Sequence, residues 1–478
     1  MAFRARSPKF GPGAAMQSAG GSSSSQGLAA LSAGLALRLA EEHANSNLVF
    51  SPLSIYTALA LVAAGARGAT LDEILRVLGA RSRQELDQYV ARAAGDALRD
   101  RSGSGGPLVA FACGVWSDRS CPLKPGFREA VVDGAYKAEA STVDFRSDAN
   151  GAVRLINAWA ERVTNGLIKS VLRPESVEPL LTRVLLGNAV YFKGKWDQPF
   201  DKSDTKKGRF RRLRGAGTVD VPFMRSWKPQ YIAVHHRFKV LKLRYKMADE
   251  SPPFDPGPFL HRAAAPFRPA RHSTNLPHPA PPYPTPPSRY DDFCSLVTNA
   301  FGNSLSTPPK DKSLTQFSMC IFLPDADNGL PSLLDAMASS PGFLHQHLPR
   351  KEVLVGKLQL PRFKLSFHGS VVSVLGKLGL LLPFHETNNE LCDMAEDDGS
   401  GLPLVLSDVV HKAVIEVNEE GTEAAAVTIA SAPGGGGGRP RPPPLVDFVA
   451  DRPFAYFVVE EETGAVVFAG HVLDPSTE

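Results

Sequence analysis

Apolar residues recur at helical spacing in the first third of this chain and at alternate or unbroken positions afterwards. A helical segment opens at Leu28, with Leu31, Leu35, Leu37 and Leu39 recurring before the polar break from Glu41 to Asn47. In the run LVFSPLSIYTALALVAAGARGATLDEIL, Ser51 can cap a helix and Pro52 can start it. That helix is apolar nearly all round through Val62, which predicts burial, and Gly65 and Gly68 end it. Thr70 to Arg99 reads as amphipathic helix, with Leu71, Ile74, Leu75 and Leu78 on one face.

Between Pro107 and Phe145 the period shortens, and LVAFACGVWSD and KAEASTVDF read as strands. NAWAERVTNGLIKSV, Asn157 to Val171, returns to helical spacing. Thr182 to Trp196 is a long strand whose Leu185 to Phe192 stretch is almost continuously apolar, as in a central strand covered on both faces. Phe238 to Tyr245, Gln316 to Pro324, Lys357 to Phe367 and Phe454 to Val472 add strands, the last folded into a hairpin at Glu462-Thr463-Gly464. Helices first and strands later predict an α+β unit with large, mainly antiparallel sheets.

Composition narrows the function classes. Of 478 residues, 43% are hydrophobic and 21% charged, an ordinary globular mix, and the formal net charge is only +4. No nucleic-acid or membrane partner follows from that charge, and no run reaches the roughly 18 apolar residues that cross a bilayer. The five cysteines (Cys113, Cys121, Cys294, Cys320, Cys392) are scattered and odd in number, which argues against a zinc site or a disulfide framework and for a reducing compartment. His235-His236 and His345/His347 lack acidic or cysteine partners at ligand spacing, so no metal and no cofactor is expected. Gly434 to Gly438 has no following Lys-Ser/Thr and is not a phosphate loop, and Lys206 to Gly215 reads as a solvated hairpin in preference to a polyanion site. No Ser/His/Asp set stands out for catalysis.

Two segments fall outside the pattern. Residues 1–27 are basic, rich in Ser and Gly and without the apolar centre of a secretory signal. A disordered extension is the preferred reading and a plastid transit peptide the alternative, so the expected location is cytoplasmic, with unconventional secretion or a plastid as the other options. Residues 247–314, with PHPAPPYPTPPSRY among them, are proline-rich and without periodicity. They read as a disordered insertion between two strands, with a translated intron or gene-model error and a polyproline docking site as the alternatives. Doubling the length of a closed loop adds only about 0.6 kcal/mol, so the hairpin can survive it.

VVHKAVIEVNEEGTEAAAVTIA, Val409 to Ala430, begins as a strand with Ala413, Ile415 and Val417 alternating, then passes through Glu419-Glu420-Gly421-Thr422-Glu423 into a run of alanines. It closely resembles the hinge of the inhibitory serpins, those of plants most of all. Further motifs fall in that family's order: NLVFSPLSI (Asn47 to Ile55), INAWAERVTNGLI (Ile156 to Ile168), LGNAVYFKGKWDQPF (Leu186 to Phe200), FSMCIFLPD (Phe317 to Asp325), LPRFKLSF (Leu360 to Phe367) and FVADRPFAYFV with TGAVVFAGHV. The resemblance implies one serpin domain over residues 28–475, interrupted by the insertion, with helices packed on three mainly antiparallel sheets. The hinge and an exposed reactive-centre loop would occupy residues 419–445.

It also implies an inhibitor and not an enzyme. A serine or papain-like cysteine endopeptidase cleaves the loop, and the freed half enters the main sheet as a new strand. Small side chains from Gly421 and Thr422 through Ala424, Ala425 and Ala426 let that strand slide in without overpacking. By the same resemblance His411, with Asn188 and Ser51 as hydrogen-bond partners, marks where the sheet opens; Arg362 pairs with Glu419, and Trp196 caps the sheet end that the loop enters. The expected partner is the target protease, and the chain is expected to be a monomer. The bait departs from the family. Counting places the cleaved bond near Gly435-Gly436 or near Gly438-Arg439, and the attractive side chains, Arg439 and Arg441, precede Pro440 and Pro442, where a tertiary amide hinders cleavage. Arg439–Pro440 is the preferred bond, and a non-inhibitory serpin is the rival reading.

Overall fold

A computed structural model describes residues 23–132, 134, 136, 138–248, 315–340, 342–386, 390–401, 403–421 and 444–477. Nine α-helices lie among them: α1 Ser23–Glu42, α2 Pro52–Gly65, α3 Gly68–Leu78, α4 Arg83–Ala97, α5 Pro125–Val132, α6 Ala149–Val163, α7 Leu330–Ser339, α8 Phe343–Gln346 and α9 Val372–Lys377. Three sheets complete the architecture. A seven-stranded sheet has the order β1-β16-β15-β9-β8-β7-β10, a four-stranded sheet β14-β11-β6-β5, and a five-stranded sheet β12-β13-β4-β2-β3. The strands are β1 Leu48–Phe50, β2 Leu108–Asp118, β3 Glu139–Val143, β4 Val184–Lys193, β5 Lys206–Arg211, β6 Thr218–Ser226, β7 Gln230–His235, β8 Phe238–Arg244, β9 Phe317–Pro324, β10 Glu352–Val353, β11 Val355–Pro361, β12 Phe363–Ser370, β13 Leu406–Val417, β14 Val446–Val449, β15 Phe454–Glu460 and β16 Val466–Val472.

The apolar helix is α2. The Ser51 hydroxyl accepts from the Ser54 N–H at 3.2 Å, Pro52 opens the first turn, and nearly every side chain is buried between the five-stranded sheet and its neighbours. A cap of this kind contributes about 1 kcal/mol. The five-stranded sheet is covered on both faces: α2 and the main core on one, α6 on the other, where Trp159 meets Trp116 edge-on at 5.0 Å. Its middle strand is β4, which explains the unbroken apolar run from Leu185 to Phe192.

Several elements differ from the sequence expectation. α1 begins at Ser23, so the last five residues of the expected disordered extension are helical. The single amphipathic segment from Thr70 to Arg99 is two helices, parted by Gly79 at φ 65° and restarted at Ser82, whose hydroxyl accepts from the Glu85 N–H. The helix expected over Asn157–Val171 runs instead from Ala149 to Val163 and stops where Asn165 and Gly166 take left-handed conformations. Ile168 and Val171 return to the same small core as Ile156 and Trp159, so their spacing imitates a continuing helix. The strand expected over Lys357–Phe367 is two strands in different sheets, β11 and β12, joined at Arg362. On either side of the proline-rich segment, β8 and β9 pair antiparallel, from Phe238 opposite Pro324 to Arg244 opposite Ser318. The Lys206–Gly215 segment is the edge strand β5 with its turn, as a solvated hairpin requires.

Candidate functional site

β13 carries the alternating face read from the sequence, with Ala413, Ile415 and Val417 buried. It lies between β12, which runs antiparallel to it, and β4, which runs parallel, with His411 opposite Asn188 and Ile415 opposite Phe192. Past Val417 the chain reverses. Asn418 and Gly421 exchange backbone hydrogen bonds of 2.9 and 3.3 Å, and Gly421 holds φ +123°. A Cβ on Gly421 would stand 2.2 Å from the Gly194 carbonyl oxygen, so only glycine fits this close passage over residues 194–196.

The turn is fixed from both sides. The Trp196 and Phe200 N–H groups donate to the carbonyls of Glu420 and Glu419 at 2.9 and 2.8 Å, and the Trp196 indole N–H donates to the Asn418 carbonyl at 2.9 Å. The indole stacks on Tyr245 with ring centroids 4.5 Å apart. The Glu419 carboxylate, 4% exposed, accepts from the Thr205 hydroxyl at 2.7 Å and faces the Arg362 guanidinium at 3.4 Å. Burial pushes its pKa up, but the Thr205 hydrogen bond and the Arg362 charge outweigh burial and hold it below the ordinary carboxylate value. Glu420 pairs with Lys202 and keeps its other oxygen buried without a partner among the described residues. A cavity of about 440 Å³ opens here, lined by Lys202, Arg362, Lys364, Glu416, Glu419 and Glu420.

Midway along the same seam lies a second polar cluster. The Ser51 backbone N–H donates to His411 Nε2 at 3.0 Å, which makes Nδ1 the protonated nitrogen, and Nδ1–H donates to the Asn188 side-chain oxygen. The Ser54 hydroxyl donates to that oxygen at 3.0 Å. All four residues are fully buried. Burial, with the nearby His368 adding to it, pushes the His411 pKa down to about 3, so the imidazole is neutral.

A family model described as Serpin (serine protease inhibitor) matches residues 26–251 and 313–475. The chain belongs to the serpin family. A relative from Oryza sativa subsp. japonica is 48% identical over 460 residues, covering 95% of this serpin and 96% of the relative. Serpin-Z2A of the same organism is 43% identical over 457 residues, 94% and 97% of the two chains. The solved structure of Arabidopsis AtSerpin1 in its native stressed conformation superposes with a TM-score of 0.75 at 35% identity, covering 96% of this serpin and all of that chain. This is a plant-type serpin with the α+β serpin fold, and its family is one of protease inhibitors.

The structure thus brings Ser51, Asn188 and His411 together, and Trp196, Arg362, Glu419, Glu420 and Gly421 together about one end of β13. Ser51 contacts His411 through its backbone, since its hydroxyl caps α2. Thr422, Glu423, Ala424, Ala425 and Ala426, and the bait positions Gly435, Gly436, Gly438, Arg439 and Pro440, lie outside the described residues. Sequence reading missed Ser54, Lys202 and Thr205. Ser54 had a signal, standing one helical turn after Ser51; Lys202 and Thr205 sit in a short polar stretch that carries none. Among the described residues there is no cluster of His, Cys, Asp and Glu that could hold a metal ion, and no helix is long and apolar enough to cross a membrane.

Proposed function

We infer that this serpin traps serine or papain-like cysteine endopeptidases by suicide cleavage of the segment after Gly421. One observation carries the reading: β13 and β4 are parallel neighbours, and the chain leaving β13 reverses at Gly421. A segment returning between them runs antiparallel to both. Opening the seam breaks one parallel ladder, from Leu406 opposite Val184 to Ile415 opposite Phe192, and the returning strand forms two antiparallel ladders in its place. At about 1 kcal/mol net per hydrogen bond, the exchange favours insertion once the loop is cut. Before the cut, the loop is tethered at both ends, by Gly421 and by β14.

The target's nucleophile attacks the carbonyl before the scissile bond, the amine leaves, and an ester or thioester joins the enzyme to the loop. Some 15 residues entering at about 3.3 Å each carry that enzyme ~50 Å along the sheet. Deacylation stops when the triad and oxyanion hole are pulled out of line, because their geometry supplies much of the rate. Arg439–Pro440 is the proposed reactive bond, with Gly435, Gly436 and Gly438 as alternatives. His411 with Asn188 and Ser51 would guard the seam, Arg362 and Trp196 its entrance, and Glu419 to Ala426 would be the hinge. The proposed organisation is one domain interrupted by the proline-rich insertion.

A second reading, a serpin that does not inhibit, is favoured by Gly434 to Gly438 and by the prolines after Arg439 and Arg441. The fold admits it: thyroxine-binding globulin, solved in complex with thyroxine, shares the fold at a TM-score of 0.67 and 22% identity. Incubation with a panel of endopeptidases decides. Trapping gives an SDS-stable covalent adduct, and the cleaved protein melts well above the intact one. Clean cleavage with no adduct and no rise in melting temperature establishes the second reading.

A further inference from the structure

The chain from Val353 to Leu358 lies between two segments. On one side Val353 pairs with Gln230 and Leu358 with Ser226, so the turn Trp227-Lys228-Pro229 spans the interval. On the other side Val355 pairs with Val446, whose N–H donates to the Leu354 carbonyl at 2.9 Å, which sets Leu445 beside Leu354. Three large apolar residues on these adjacent segments are exposed: Trp227 is 57% exposed, Leu354 40% and Leu445 64%. Single exposed leucines need no explanation, but an exposed tryptophan beside them is of the residue type enriched in binding hot spots.

Charge adds a second feature. Lys228, Lys351 and Lys357 are exposed around this strip, and among the described residues no carboxylate lies within ion-pair distance of them. Glu352 and Asp447 are exposed acids in the same strip, leaving cations in excess. The surface is an apolar contact with a basic rim.

Its place in the chain names the occupant. Leu445 is the second described residue after the segment 422–443. A protease acting at Arg439–Pro440 is held within about 18 Å of Leu445, since five residues span at most about 3.6 Å each. A small domain is already ~30 Å across, so an enzyme held at that bond has this strip within its reach.

We propose that Trp227, Leu354 and Leu445, rimmed by Lys228, Lys351 and Lys357, form a second docking surface for the protease engaged at the loop. The surface selects enzymes carrying an apolar contact within an acidic rim beside the active-site cleft. It supplies selectivity that a glycine- and proline-rich bait does not. The proposal rests on the trapping reading.

The test measures the second-order rate of adduct formation with trypsin, chymotrypsin and papain, using whichever enzyme the unaltered protein traps. Trp227→Ala with Leu354→Ser is expected to lower that rate about tenfold or more, the scale of a hot-spot truncation, while the inhibitor consumed per enzyme trapped stays unchanged. Lys228→Glu with Lys357→Glu keeps the apolar contact and is expected to slow association and flatten its salt dependence, which covers the case in which the first pair disturbs folding. Unchanged rates in both pairs, with adduct still forming, overturn the docking surface and leave trapping intact. Clean cleavage of the unaltered protein by these enzymes, with no adduct and no rise in melting temperature, overturns trapping and removes the proposed occupant with it.

Discussion

His411 and Asn188 face each other in register across the parallel seam between β13 and β4, and the His411 Nδ1–H donates to the Asn188 side-chain oxygen. This bond crosses the line along which the sheet would part, so separating the strands must break it. Replacing His411 by Leu removes it and leaves the Ser51 N–H buried without an acceptor, which costs about 1–3 kcal/mol. The expected outcome is a lower unfolding midpoint in urea and faster spontaneous conversion to a form resistant to loop cleavage. A midpoint equal to that of the unaltered protein refutes the latch.

The same burial makes stability depend on pH. Burial lowers the His411 pKa to about 3 and the His471 pKa to about 4, against about 6.5 in an unfolded chain. Between those limits the unfolded state binds protons that the native state does not. The stabilising contribution is therefore complete above pH 6.5 and is lost progressively as pH falls toward 4 and 3. Each histidine accounts for about 2 kcal/mol at pH 5, since one pH unit corresponds to about 1.36 kcal/mol. Urea midpoints measured from pH 7.5 to 5 should fall, and His411→Gln should flatten the slope. A level profile over that range contradicts the burial argument.

What the sequence could reveal tracks how local each cause is. The apolar circumference of α2, its Ser51-Pro52 start and the unbroken run of β4 each follow from neighbouring residues, and each stands where it was read. The break at Arg362 was hidden because the chain stays extended while passing from one sheet to the next, and alternation records extension without recording partners. The helix end at Thr164 was hidden because Ile168 and Val171 fold back into the core that α6 covers. Ser51 and His411 stand 360 positions apart, so family resemblance and not spacing joined them. That Ser51 contributes its backbone while its hydroxyl caps a helix required coordinates.

Glu419 offers a comparison between two of its partners. The Arg362 side chain is 49% exposed, so solvent screens its attraction and Arg362→Ala should cost no more than about 1 kcal/mol. Thr205→Val removes a 2.7 Å hydroxyl donor from a carboxylate only 4% exposed, and a lost hydrogen bond to a buried charge costs about 1.5–3 kcal/mol. The expected order in thermal melts is therefore Thr205→Val below Arg362→Ala, with Arg362→Ala near the unaltered protein. The reverse order assigns the root of the loop to the ion pair.

Gly421 sets the sharpest steric limit at the site. Its φ of +123° is one that side-chain-bearing residues rarely adopt, and an added Cβ meets the Gly194 carbonyl oxygen at 2.2 Å and the Lys195 Cα at 2.6 Å. Both neighbours are backbone, so neither can rotate away. Gly421→Ala must displace the turn from residues 194–196 and weaken the bonds that Trp196 and Phe200 donate to Glu420 and Glu419. Strain of this kind costs about 1–3 kcal/mol. The expected outcome is a lower melting temperature together with faster limited proteolysis near residues 418–421. The indole of Trp196, stacked on Tyr245, should redden its fluorescence as the turn lifts and water reaches it. An alanine variant with unchanged melting, proteolysis and fluorescence would show that the reversal does not need glycine, and would remove the support that the close passage gives to a loop poised to enter between β13 and β4.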